Sequence, residues 1–217
     1  MADQSVHSYW ITASGREGSS GSAEACLPYW SFTKPEISIC ALKLVESGEL
    51  ALDARLNGEH YNLRQVLMHT YGLPNYEQFS AYHSAVAAKK TPCTRDKLLD
   101  VTLANEMLFE PTQGWSYSNI GYMFVVELIE ATMEKPLREI ISEMVCKPLN
   151  LNSIELADTR DQFGKALGRS GGGPFSVNAA YHFPDFNDPI TLASFTDGVA
   201  EFVAKGYSRR SITANSA

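Results

Sequence analysis

The spacing of apolar residues changes character twice along this chain. "SYWITA" (8–13) reads as a short strand, and "SGREGSSGSAEA" behind it as a glycine- and serine-rich loop. Ile37, Ala41, Leu44 and Val45 then recur at helical spacing, with Gly48 placed to cap the helix end. "LRQVLMHT" predicts a second helix, closed by the turn "YGLPNY", and "TRDKLLDVTLAN" predicts a third with Thr94 as its N-cap. The clearest helical pattern runs from about Gly121 to Met133, and another, Leu137 to Val145, stops before Pro148. Beyond it the texture turns β-rich. Phe175–Phe183 and Ile190–Phe195 flank "PDFNDP" as a hairpin, and "VAEFVAKGY" reads as a closing helix. Strand material at both ends with helices between predicts an α+β chain, its sheet assembled from the termini.

Bulk properties narrow the function classes. A chain of 217 residues favours one domain, and 44% hydrophobic with 20% charged residues is ordinary for a soluble globular protein. The net charge of −7 argues against a broad nucleic-acid footprint, which needs clustered Lys and Arg. No apolar run reaches the roughly 18 residues of a membrane span. "MADQSVHSYW" carries no basic start and no apolar core of an export signal, so a cytoplasmic, reduced protein is expected. A trimmed leader would look the same and would make it periplasmic. Cys26, Cys40, Cys93 and Cys146 form no C-x-x-C pair, so zinc is not expected and the thiols read as buried small hydrophobes. Oligomeric state is not readable.

Three stretches carry candidate chemistry. In "PYWSFTKPEI" (28–37), Ser31 and Lys34 stand at i and i+3, so on a first helical turn they share a face. A serine hydroxyl is a poor nucleophile until a base takes its proton, and a desolvated lysine is one such base. Tyr29, Trp30 and Phe32 are the candidates to desolvate it. A Ser N-cap beside a solvated Lys explains the same spacing. Pro35 removes a backbone donor, which predicts a tight or irregular helix start.

In "GWSYSNIGYMFVVELIEA", Tyr117 and Asn119 alternate with Ser118 and point the same way on extended backbone. A phenolate beside an ammonium can accept a proton, and Asn119 offers both donor and acceptor. A loop tyrosine followed by an Asn helix cap is the alternative. "GRSGGGPF" supplies backbone N–H groups at a sheet edge, or simply a flexible loop; no phosphate loop fits, because no Gly-Lys-Ser/Thr follows.

The order of these stretches, Ser-x-x-Lys, Tyr-x-Asn, then a basic-x-Gly stretch entering a strand, resembles the serine β-lactamase and penicillin-binding-protein superfamily. It is most similar to the branch of class C β-lactamases, D-Ala-D-Ala carboxypeptidases and family VIII esterases. "LKLVESGELALDARL", "YNLRQVLMHTYGLPNY", "WSYSNIGYMFVVELIEATMEKPLREIISEMVCKPLNL" and "GRSGGGPFSVNAAYHFPD" resemble that branch's intervening segments, over roughly residues 27 to 198. The resemblance implies a β-lactamase/DD-peptidase-like fold as one domain over 1–217. A sheet lobe would take about 1–30 and 165–217, and a reduced helical lobe about 31–164. It implies Ser31 as the acylated nucleophile, Lys34 as its proton partner and Tyr117 as general base and later acid. Asn119, Arg169, Ser170 and Gly171 would bind substrate, and the N–H groups of Ser31 and Gly172 would form the oxyanion hole. No metal or organic cofactor is implied; the partner would be a small ester, β-lactam or peptide.

Three departures shape the expectation. Arg169 replaces the family's usual Lys or His and does not deprotonate, although it binds a carboxylate well. Only "NSIELADTRDQFGKAL" separates Leu151 from Gly168, where the family carries a long helical stretch, so a shallow site is expected. The strand ahead of the nucleophile is short or absent. A serine hydrolase acting on esters or amides is therefore weighed against a catalytically impaired relative that binds a ligand or partner. Elsewhere His69 and Met68 read as helix residues in core or cap roles, and His182 as a strand residue. Tyr71, Tyr76 and Tyr82 read either as acyl-pocket lining or as core.

Overall fold

The computed structural model describes residues 8–21, 26–28, 30–56, 59–80, 83–84, 95–152, 154–156 and 192–195. Among them, β1 (Ser8–Ile11) and β2 (Glu17–Ser20) form an antiparallel hairpin with Ser8 opposite Ser20 and Ile11 opposite Glu17. The turn uses Gly15 at φ +79°, and Thr12 N–H donates to Arg16 O at 2.8 Å. β2 lies in the stretch expected to be a loop. Its glycine- and serine-rich sequence carries no alternating apolar signal; the strand exists through its pairing with β1. The Trp10 indole covers Gly18 so closely that a β-carbon there would sit 2.6 Å from it.

A second sheet has the order β3 (Cys26–Pro28), β5 (Leu192–Phe195), β4 (Ile154–Leu156), all antiparallel. β5 pairs Cys26 with Phe195 on one side and Leu156 with Leu192 on the other, so a late segment ties an early one to the middle of the chain. β3 and β5 bring the two ends of the chain together as the α+β reading expects, but β4 comes from the stretch assigned to the helical lobe (31–164), and β1 pairs in a separate hairpin. The expected partner strand Phe175–Phe183, Thr94 and the closing helix lie outside the described residues.

The helices build the core. After one 3₁₀ turn at Trp30–Phe32, α1 runs Thr33–Glu46 and buries Ile37, Cys40, Ala41 and Leu44. Pro35 sits in its first turn, where a missing N–H removes no internal hydrogen bond, and the tight start is the irregularity expected there. Gly48 ends it at φ +82°, with Glu49 N–H reaching back to Leu44 O at 2.9 Å. α2 (Leu63–Leu67) begins in a reciprocal capping box between Asn62 and Gln65 and stops short of the predicted Thr70. α3 (Arg95–Leu103) is clamped to α4 (Asn119–Met133) by an ion pair from Arg95 to Glu127.

α4 starts at Asn119 rather than Gly121, because Ser118 in extended conformation caps it by accepting Ile120 N–H at 3.3 Å. α5 (Leu137–Ile141) continues through a π-helical turn, Ser142–Cys146, into α6 (Lys147–Leu149). Pro148 therefore does not stop the helix. It stands in the opening turn of α6, where its fixed φ suits the geometry, and the stop falls at left-handed Asn150. Among the described residues no helix is long and apolar enough to cross a membrane.

Among the buried polar residues described, Glu36 carries the ionisable side chain. Glu36 of α1 is 0% exposed and neither carboxylate oxygen has a hydrogen-bond partner. Burial pushes it up to about 8, so the acid is neutral at pH 7. Burial likewise pushes the Cys40 and Cys146 thiols up to about 12 and about 11, with Glu36 adding to both.

Since the native acid holds its proton more tightly than the unfolded one, this group's contribution to stability falls as pH rises from about 4.5 through about 8. Glu36→Gln, which has no charge to bury, is expected to unfold at higher denaturant than the parent at pH 9. The gap should be on the order of 4 kcal/mol and shrink toward pH 5. Parallel denaturation curves with a pH-independent gap would show that Glu36 is not the titrating group.

Candidate active site

Two helix starts meet at Ser31. The 3₁₀ turn and the first turn of α1 present Ser31 and Lys34, and the extended segment entering α4 presents Tyr117 and Asn119. Ser31 Oγ lies 2.6 Å from the Tyr117 hydroxyl. Lys34 Nζ donates to Asn119 Oδ1 at 2.7 Å and reaches Ser31 Oγ at 3.5 Å. Tyr117 OH donates to Asn119 Oδ1 at 3.1 Å. Ser31 does not cap α1: the N-cap is Phe32, which makes no side-chain capping bond. All four residues from the first two motifs are thus brought together across the core. Arg169, Ser170, Gly171 and Gly172 lie outside the described residues, as do Tyr82 and His182.

Among the described residues the rings over Lys34 are not the flanking aromatics; Tyr29 and the Trp30 side chain lie outside that set. Phe32 is 67% exposed. Instead the Lys34 ammonium lies over the rings of Tyr117 at 5.1 Å and Tyr122 at 5.5 Å, a cation–π seat that shields it from water. The Tyr122 hydroxyl is fixed by Leu67 O at 3.3 Å and Ser38 Oγ at 3.0 Å.

A ring of buried polar groups holds the start of α4. Ser118 Oγ donates to Pro74 O at 3.2 Å, and Asn119 N–H donates to Asn75 Oδ1 at 3.2 Å. Asn119 Nδ2 makes longer contacts to Asn75 Oδ1 at 3.5 Å and Tyr76 OH at 3.4 Å. Gly121 N–H donates to Tyr71 OH at 2.7 Å, and a β-carbon at Gly121 would sit 2.6 Å from that oxygen. Tyr71 and Tyr76 are therefore buried supports of the site.

The sequence reading missed His69 and Asn75. His69 is not on a helix: α2 ends at Leu67, and His69 turns the chain at φ +58° while Met68 beside it is 58% exposed. Its Nδ1 accepts Ser118 N–H at 3.3 Å, which puts the ring proton on Nε2. Its ring lies 4.8 Å from Tyr117 and 5.4 Å from Tyr122. Burial, helped by the Lys34 charge, pushes the imidazole down to about 4. Both residues stand in "YNLRQVLMHTYGLPNY", whose Gly and Pro mark a turn but not what the turn touches. Among the described residues no group of three or more His, Cys, Asp or Glu is arranged to hold a metal ion.

Comparison with known proteins bears on the family and the fold. The profile of the family described as Beta-lactamase matches residues 2–203. Penicillin-binding protein 4* of Bacillus subtilis (strain 168) is 27% identical over 180 residues, covering 78% of this chain and 39% of that protein. A D-aminopeptidase of Cereibacter sphaeroides is 28% identical over 110 residues, covering 50% of this chain and 21% of that protein. The chain thus spans well under half the length of either relative. Among solved structures, D-amino acid amidase from Ochrobactrum anthropi SV3 superposes with a TM-score of 0.69 at 19% identity, covering 90% of this chain and 63% of that one. That likeness is one of fold.

The His69 assignment has a direct check. With its folded-state value near 4 against an ordinary 6.5, the ring is neutral throughout the physiological range, and its contribution to stability falls as pH drops from about 6.5 through about 4. The His69 Cε1–H resonance is expected to titrate near pH 4. A midpoint near 6.5 would mean that the ring is solvated and released from Ser118.

Proposed function

Because the chain belongs to the beta-lactamase family, we propose that it is a serine hydrolase that forms an acyl-enzyme on Ser31. The observation that carries this reading is the 2.6 Å approach of Ser31 Oγ to Tyr117 OH, with Lys34 3.5 Å from the same Oγ. Tyr117, once it has given up its own proton beside the Lys34 ammonium, takes the Ser31 proton while Oγ attacks the substrate carbonyl. The tetrahedral oxyanion is held by the N–H groups of Ser31 and Gly172. Its collapse expels the amine or alcohol, to which Tyr117 returns the proton. Water, deprotonated by the same tyrosine, then attacks the acyl carbonyl; the C–Oγ bond breaks, the acid leaves and Tyr117 returns the proton to Ser31 Oγ.

Asn119 anchors Lys34 through Oδ1, and its loosely held Nδ2 can turn to a substrate carbonyl. Arg169 pairs bidentately with a carboxylate near the scissile bond. The relatives' names, D-aminopeptidase and D-amino acid amidase, favour small D-configured amides alongside activated esters as substrates. The short connection from Leu151 to Gly168 encloses less of the substrate and so favours high KM. The same short connection, with Arg169, supports the second reading, a relative that binds ligand without turnover.

Intact mass measurement after incubation with a fluorescent penicillin and, separately, turnover of a p-nitrophenyl ester separate the two. Ser31 is expected to gain one acyl adduct, lost in Ser31→Ala, while Tyr117→Phe slows ester turnover by about 10²- to 10⁴-fold. A parent chain that binds either compound without adduct or turnover would establish the ligand-binding reading instead.

A further inference from the structure

Tyr117 is gripped on both sides by a single residue. Ser116 N–H donates to the His69 carbonyl at 3.0 Å, and Ser118 N–H donates to His69 Nδ1 at 3.3 Å. The amides before and after Tyr117 are thus tied to the backbone and the side chain of the same histidine. Between these ties the imidazole backs the phenol ring, with centroids 4.8 Å apart at 39°. Carbonyl and ring can reach both amides because His69 adopts φ +58°, a left-handed conformation that a non-glycine residue keeps only when its surroundings demand it.

We propose that His69 is the positioning residue of this site, holding Tyr117 between two amide anchors so that its hydroxyl meets Ser31. The proposal rests on the reading of Tyr117 as the general base. The grip needs a neutral ring, since a protonated Nδ1 would face Ser118 N–H donor to donor. The titratable and charged groups that face the ring are Lys34 from α1, Tyr117 from the entering segment and Tyr122 from α4. Lys34 and burial both favour the neutral form. Freed from the anchors, Tyr117 would drift by an ångström or so, enough to cost roughly a hundredfold in rate.

Two substitutions separate the acceptor from the backbone. His69→Gly keeps the left-handed turn and removes the ring; His69→Asn keeps the turn and places Oδ1 near the position of Nδ1. With p-nitrophenyl ester, His69→Gly is expected to lower kcat by about tenfold to a hundredfold with KM changed far less, and His69→Asn to recover most of the loss. Thermal unfolding of each variant shows whether it is folded. A folded His69→Gly variant as fast as the parent, or a folded His69→Asn variant no faster than His69→Gly, would overturn the proposal. If the parent shows neither adduct nor turnover, the hydrolase reading falls by itself. The grip is then read by ¹⁵N NMR: it predicts an unprotonated Nδ1, and a Ser118 amide shift lost in His69→Gly and restored in His69→Asn. A parent ring protonated on Nδ1 would overturn it in every case, including one where His69→Gly does not fold.

Discussion

The ammonium of Lys34 donates to Asn119 Oδ1 at 2.7 Å, joining two helix starts separated by 85 positions of chain. A charge-assisted bond of this kind is worth roughly 1.5–3 kcal/mol net, and losing its acceptor would leave a half-buried charge under two aromatic rings. Much of the site follows from that bond. Lys34 carries Ser31 with it, because both belong to one turn entering α1. Asn119 carries Tyr117, because the extended backbone between them puts alternate side chains on one side.

The partner of Lys34 is held by unusual means. Backbone groups at the start of α4 are bound by Asn75, Tyr71, Ser118 and His69 side chains, each from a turn or helix end. Buried side-chain networks of this kind rigidify only when every member is satisfied, and here the donors find acceptors in sequence neighbours of α2 and its turn. Glu36 is the counterexample two positions beyond Lys34: the helix that presents a satisfied ammonium on one face buries an unsatisfied acid on another. Because the acid is neutral, it costs far less than a buried charge would.

The sheet sets where this assembly begins. Ser31 follows closely on β3, which among the described residues is paired on one side only, and Pro28, with no N–H to give to a ladder, suits such a strand. β3 is anchored by β5, which comes from the far end of the chain. Ser31 is thus referenced to the sheet on one side and to α4 on the other.

Local pattern determined a good deal of this. The apolar repeats of α1 and α4, the Gly48 stop and the disturbed start at Pro35 are readable because each depends on residues within a turn or two of one another. The pairing of Ser31 with Lys34, and of Tyr117 with Asn119, is readable for the same reason. What joins the two pairs is not, since the 2.6 Å contact from Ser31 to Tyr117 spans 86 positions and no local period encodes it. β2 escaped detection because its pairing with β1, and not its composition, makes it a strand. Pro148 misled because a proline marks a stop in a helix interior and a start in a first turn, and the π-helical turn before it decides which applies. His69 reads as one more helix residue, and only the tertiary structure turns its carbonyl and ring toward Tyr117: a left-handed angle at Gly48 is signalled by the residue itself, whereas at His69 it is held by the contacts around it.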